Sequence, residues 1–224
     1  SILTRERTKG TRESLSLAYA RLVHTAGAVR IGLAARKLLG EPPVKAAITL
    51  SGSFSSTGAG HETDRAIVAG LLNMEPDDMK IPESFREAEK AGLEFGFIHD
   101  TIGGAHPNTA LLDILSASGR RIRMQASSLG GGRIMINKLD GVEINVTGER
   151  PVLIIHNIDK PGYVSEVTSL MASGSVNIAT MTLHRSKRGG DAVMVIETDQ
   201  NIPVEAVRHL EAVKGIFKVT CLNL

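Results

Sequence analysis

The sequence predicts an α+β protein, a mixed α/β domain followed by a ferredoxin-like βαββαβ unit. Three observations carry this. From His24 to His99, helix-period apolar stretches alternate with short strand-like runs, separated by turn residues. From Thr109 to Val146 the pattern changes to two hairpins, marked by Ser118-Gly119 and Asp140-Gly141. After Gly148-Glu149-Arg150-Pro151, residues 151–224 read in the order β-α-β-β-α-β.

The elements follow in order. Residues 1–23 are polar and weakly patterned, and are expected to be an atypical leader, a frayed helix or a disordered arm. Ala28, Ile31, Ala35 and Leu38 then recur at helical spacing, and Gly40 with Pro42-Pro43 stops the helix. Val44–Leu50 reads as a strand, and Ser51–Gly60 as a loop of small residues. Thr63 or Asp64 is the expected cap of a helix that turns Ile67, Val68, Leu71 and Leu72 to one side. Pro82 opens a helix ending near Gly92, and Leu93–His99 is a strand. Thr109–Leu115, Arg121–Ala126, Arg133–Leu139 and Val142–Val146 are the hairpin strands. The second domain is expected over 151–224, with strands Val152–His156, Asn177–His184, Asp191–Thr198 and Ile216–Leu222. Its helices are Tyr163–Ser173 and Pro203–Val213. Placing both on one sheet face leaves the other face free for a partner.

Composition excludes several classes. The chain of 224 residues has one Cys, so neither a disulfide scaffold nor a self-contained iron–sulfur cluster is available to it. One Cys fits a reducing compartment, and the expected location is cytoplasmic. No apolar run is long enough for a membrane helix. The net charge of +2 belongs to the leader, where Arg5, Arg7, Lys9, Arg12 and Arg21 face only Glu6 and Glu13. A near-neutral body with five Phe, two Tyr and no Trp argues against nucleic acid and membrane surfaces as partners.

Two segments carry chemistry. Gly58-Ala59-Gly60-His61 places an imidazole in a glycine-rich loop just before a helix, where it can titrate near neutrality and reach a ligand. Asp64 either orients that ring or caps the helix. The loop is not a phosphate-binding Walker motif, because Lys followed by Ser or Thr is missing. Thr25 is the expected cap of the first helix, with His24 beside it facing a site, and His106-Pro107-Asn108 reads as a polar turn. In the second domain, Asn157-Ile158-Asp159-Lys160-Pro161-Gly162 joins a strand to a helix. Gly162 admits a ligand close to the backbone, and Asn157 and Asp159 can hold an amino group or hydroxyl. The plain alternative is a strand–helix turn in a domain that only dimerises.

The 157–162 segment, with Ser175-Val176-Asn177-Ile178-Ala179 and GGDAVMVIETD at 189–199, resembles the ACT domain, an amino-acid-binding regulatory module. The resemblance implies effector contacts at Gly162 and Asn177 across a dimer interface, with Asn157 and Asp159 in the same loop, and pairing of two chains through these domains. HTAGAVRIGLAARKLLGEPP (24–43), ITLSGSFSSTGAGH (48–61), TDRAI (63–67), HPNTALLDI (106–114) and SSLGGGRIMINKLDGVEIN (127–145) together resemble the beta subunit of iron–sulfur-dependent L-serine dehydratase. That resemblance implies a first domain over 24–148, similar to the allosteric substrate-binding domain of certain phosphoglycerate dehydrogenases. It also implies a half-enzyme that converts L-serine to pyruvate and ammonia with a separate alpha subunit holding a 4Fe-4S cluster. It assigns His61 as general base, with His24 and Thr25 as further catalytic candidates and no metal ligands in this chain. Two departures are expected to weaken activity. Glu62 stands where the family has Gly, and the family's Gly-Pro-Ser-Ser-Ser before His-Thr is here Tyr19-Ala20-Arg21-Leu22-Val23. A non-catalytic amino-acid-binding regulator is the other reading.

Overall fold

The structure is a computed structural model, and it describes residues 25–56, 62–185 and 187–223. The chain divides into two compact units at Met135/Ile136. The expected boundary at 148–151 therefore falls inside the second unit, after the second hairpin.

In the first unit, helix α1 (25–39) buries Ala28, Ile31, Ala35 and Leu38 as its spacing predicts, together with Val29, Leu33 and Leu39. It stops at Gly40, whose N–H donates to Arg36 O at 3.0 Å. Strand β1 (Pro43–Gly52) leads into the short helix α2 (Ser53–Ser56). Helix α3 (Glu62–Leu71) already includes Glu62. Thr63 and Asp64 thus lie inside its first turn, and neither is the cap that the sequence suggested. Pro82 sits in a 3-10 turn (Ile81–Glu83) that opens α4 (Ser84–Lys90). Ser84 Oγ donates to Arg65 O at 2.8 Å, tying α4 to α3. The Phe85 ring lies 4.9 Å from that of Phe95 on β2 (Glu94–His99).

β1 and β2 are parallel, while β1 and β3 (Asn108–Ser116), and β3 and β4 (Arg121–Gly130), are antiparallel. β4 continues four residues past the predicted end, and in that extension Ser127 and Ser128 are buried. β5 (Arg133–Leu139) and β6 (Val142–Val146) form the predicted hairpin, with Asp140 (φ 50°) and Gly141 (φ 82°) supplying the two positive-φ turn positions. The six strands hydrogen-bond in the order β2-β1-β3-β4-β5-β6. One sheet face is apolar and buried, through Ile48, Leu50, Leu112, Ile114 and Met124. The alternation leaves Lys45, Arg121 and Arg123 exposed on the other.

α1 and α3 approach backbone to backbone. A Cβ on Gly32 would stand 2.2 Å from Ile67 O, and one on Gly70 would stand 2.1 Å from Val29 O. The two glycines set how closely these helices pack.

The second unit has the predicted βαββαβ order: β7 (Val152–Ile158), α5 (Tyr163–Ser173), β8 (Ile178–Arg185), β9 (Asp191–Thr198), α6 (Val204–Ala212) and β10 (Ile216–Leu222). Its sheet runs β10-β7-β9-β8, all antiparallel. Leu153, Ile155, Met194 and Ile196 pack with Val167 and Met171 of α5 and Ala206 and Leu210 of α6. The other face is not open, contrary to expectation. Val152, Ile154, Val195, Thr220 and Leu222 alternate with the core set and are buried too. Only β8, an edge strand, is exposed along most of its length.

Candidate functional site

The polar groups of the first unit converge where β1 ends. The register sets Leu50 beside His99 at the end of β2, and Gly52 beside Asn108 at the start of β3. The loop between those strands is tied to β1 by hydrogen bonds. Asp100 N donates to Leu50 O (3.1 Å), Ile102 N to Ser51 Oγ (2.9 Å) and Ser53 N to Pro107 O (2.6 Å). Gly52 (φ 61°) lies under Pro107, whose carbonyl oxygen would be 2.3 Å from an added Cβ. No side chain fits there.

Two imidazoles flank this end. Ser55 Oγ and His99 Nδ1 are 3.2 Å apart. His106 Nδ1 accepts from Asn108 N at 3.1 Å, and His106 O accepts from Thr109 Oγ1 at 2.6 Å. Thr109 Oγ1 also shares a 2.8 Å bond with Ser127 Oγ. Next in β4, Ser128 Oγ is fully buried and has no hydrogen-bond partner among the described residues, and it occupies the space where Gly27 of α1 would carry a Cβ, 2.2 Å away. Arg30 of α1 donates to Gly132 O at 2.8 Å. Thr25 begins the described part of α1 and is half-buried.

The predicted residues fare differently. His24 and His61 lie outside the described residues. Glu62 is exposed at the start of α3, and Asp64 in the same turn is 6% exposed. The turn reading of His106-Pro107-Asn108 is borne out, and the placement of that turn against the exit of β1 is new. The sequence marks His99 only as the end of a strand, and Ser127-Ser128 only as the start of the stretch 127–145 that carries the family resemblance.

In the second unit, Asn157 is 3% exposed. Its Nδ2 donates to Ile158 O at 2.8 Å, and its Oδ1 is buried without a partner among the described residues. Asp159 Oδ2 accepts from Gly189 N (3.0 Å) and from Arg185 (3.2 Å). The Gly189 N–H first, and then Arg185, hold that carboxyl below the usual carboxylate range. Gly162 (φ 104°) precedes α5. Asn177 is bound elsewhere, donating from Nδ2 to Asp199 Oδ2 at 2.6 Å and from its backbone N–H to Gln200 Oε1 at 2.7 Å. Asn157 pairs with Ala192, whereas Asn177 adjoins the Ile178–Thr198 pair. These lie six residues apart along β9, roughly 20 Å. A single chain therefore does not bring Asn177 to the 157–162 loop.

A metal group has no home among the described residues. No three His, Cys, Asp or Glu side chains come together. Cys221 is half-buried, and burial pushes its thiol up to about 11, which disfavours the thiolate a cluster needs. The chain's donors do not fit an iron–sulfur cluster. No helix of the described residues is long and apolar enough to cross a membrane.

The fold and these two regions define a class: a helix-covered sheet with hydroxyls and imidazoles near its strand ends, followed by a ferredoxin-like unit. Comparison with known proteins narrows it. Residues 22–138 match the serine dehydratase beta chain family, and residues 151–215 match the ACT domain. The chain is 38% identical to the probable L-serine dehydratase beta chain of Bacillus subtilis (strain 168) over 198 residues, covering 88% of this chain and 89% of that protein. It is 31% identical to the L-serine dehydratase beta chain of Peptoniphilus asaccharolyticus, covering 88% of each. A D-3-phosphoglycerate dehydrogenase of Archaeoglobus fulgidus is 25% identical over 202 residues, covering 88% of this chain but 37% of that protein. The chain belongs to the serine dehydratase beta chain family and ends in an ACT domain.

Proposed function

We propose that this chain is the beta half of an enzyme that converts L-serine to pyruvate and ammonia in the cytoplasm. Its partner in this reading is an alpha chain that holds a 4Fe-4S cluster. The observation that carries it is the 38% identity to a protein named as such a beta chain over nearly its whole length. His61 removes the proton on the substrate's α-carbon, and the β-hydroxyl leaves as water once protonated. The resulting 2-aminoacrylate tautomerises and hydrolyses to pyruvate and ammonia, so the reaction balances without a redox partner. His24 and Thr25 are assigned to the same site, and Asp64, buried three residues after His61, is suited to orient the ring. Exposed Glu62 and the replaced residues before His24 lower the rate in this reading.

We assign 1–23 as a leader, 24–148 as the catalytic-complex domain and 151–224 as the ACT domain. The ACT domain binds an amino acid, L-serine first among candidates, between two copies of the chain. The buried Asn157 Oδ1, without a partner among the described residues, supports an N–H donor from a ligand there, and the distance to Asn177 within one chain supports a contribution from a second.

The test is co-expression with a cluster-bearing alpha chain and an anaerobic assay of pyruvate from L-serine. Turnover that disappears in His61→Ala is expected; turnover unchanged in that variant overturns the base assignment. The substituted residues before His24 favour a second reading, an amino-acid-binding regulator without catalysis. That reading predicts serine binding but no pyruvate from the complex.

A further inference from the structure

Asp159 is an occupied carboxylate, and its partners differ in kind. Its Oδ2 accepts the Gly189 N–H at 3.0 Å and Arg185 Nη1 at 3.2 Å. The Asp159 backbone N–H also donates to Gly190 O at 2.8 Å. Two of these ties run to the backbone of the turn between β8 and β9, and they fix where the carboxylate stands. The tie to Arg185 is the loose one. It is longer than the roughly 2.7–2.9 Å of a good charge-assisted bond. The Arg185 side chain is 57% exposed, against 18% for Asp159. Exposed pairs of this sort add little to stability and come apart easily. The Gly189 N–H first, and then Arg185, favour the ionised carboxyl. Asp159 is an anion held in place by backbone and covered by a detachable cation.

The loop around it is otherwise ready for a ligand. Gly162 (φ 104°) begins α5 with no side-chain cap, which leaves the first N–H groups of an 11-residue helix to an anion. Asn157 Oδ1 is buried without a partner among the described residues. An amino acid brings to this loop an ammonium, of the same sign as the guanidinium. Oδ2 already accepts twice, so both of its lone pairs are in use. A second cation at this carboxylate meets the charge of Arg185, to which Arg188 adds. We propose that Arg185 is a built-in competitor of the effector: its guanidinium covers Asp159 in the unliganded chain and gives way to the ammonium of an amino acid. The inference rests on the ACT effector reading and adds to it what sets the affinity. The plain alternative is that the pair only braces the β8–β9 hairpin.

Binding and melting separate the two. L-serine is titrated calorimetrically into the full chain, as wild type and as Arg185→Met, Arg185→Lys and Asp159→Asn, and all four are melted. Arg185→Met keeps an apolar stem without the charge. It is expected to melt as wild type and to bind L-serine roughly two- to fivefold more tightly, the release of one exposed ion pair. Arg185→Lys restores a cation and is expected to return the affinity toward wild type. Asp159→Asn is expected to bind roughly tenfold more weakly or worse, which marks the heat as coming from this loop. An unchanged affinity in Arg185→Met overturns the proposal and leaves the pair a brace. An affinity that falls there overturns it too, since Arg185 then holds the ligand itself. Binding untouched by Asp159→Asn places the ligand elsewhere and is equally fatal. Heat from neither wild type nor Arg185→Met fails the effector reading itself, and the proposal with it.

Discussion

The contact between α1 and α3 gives a sharp test, because two effects of opposite sign meet in Gly70→Ala. Replacing a helix-interior Gly by Ala gains about 1 kcal/mol of helix propensity, and that is an upper bound for Gly70, the second-last residue of α3. The new Cβ would stand 2.1 Å from Val29 O, 2.7 Å from Leu33 N and 2.8 Å from Gly32 Cα, all backbone atoms of α1. Ordinary contact begins at 3.4 Å, so the helices must separate by about 1.3 Å at this point. No rotamer change relieves a clash with backbone. Overpacking of this kind costs about 1–3 kcal/mol, and the opened seam loses dispersion contacts as well. Net destabilisation of about 1–2 kcal/mol is expected, read as a lower urea midpoint at unchanged slope. Gly96→Ala on β2 is the control, since its Cβ meets nothing within 4 Å, and its effect should stay within about 0.5 kcal/mol. In the double variant Gly32→Ala/Gly70→Ala, the second Cβ enters a seam already opened, so the cost should fall short of the sum of the single costs. A Gly70→Ala protein more stable than wild type would refute the reasoning, because the propensity gain would then be expressed without the clash.

Two further outcomes follow from burial in the second unit. His156 is half-buried on β7 beside Lys218, and burial first, then Lys218, pushes its pKa below the usual 6.5 against the opposing pull of Asp140 and Asp191. The folded state thus favours the neutral ring. The stability this contributes is fully present above about pH 6.5 and is lost as pH falls through the lowered folded value. Urea titrations at pH 7.5 and pH 5 should show the loss, and His156→Gln should flatten that part of the profile. Cys221, with its thiol pushed up to about 11 by burial, should react with iodoacetamide at pH 8 far more slowly in the folded chain than in urea. Equal rates would mean that the β10 edge opens readily.

Much of the architecture was legible because it is local. The helix spacing of Ala28, Ile31, Ala35 and Leu38, the Asp140-Gly141 hairpin and the βαββαβ order all depend on residues near one another in the chain, and all appear in the structure. Where local reading missed, a distant partner decided. The β4 extension through Ser128 exists because β3 continues to Asn108 and α1 lies over it at Gly27. The second face of the ACT sheet was expected to be open, since the β-α-β-β-α-β order says only which face the helices take.

The sequence by itself determined the fold class and the family, through motifs whose spacing survives without knowledge of what packs where. It also determined that this chain lacks the thiolates for a cluster. Only the tertiary structure decided which polar groups meet. Ser51 of β1, the β2–β3 connection that carries His99 and His106, and Ser127 of β4 are far apart along the chain, and they meet at the β1 exit because the strand order β2-β1-β3-β4 and its register align their ends. Strand order is a global packing outcome, set by burial of one apolar face, and no local pattern encodes it.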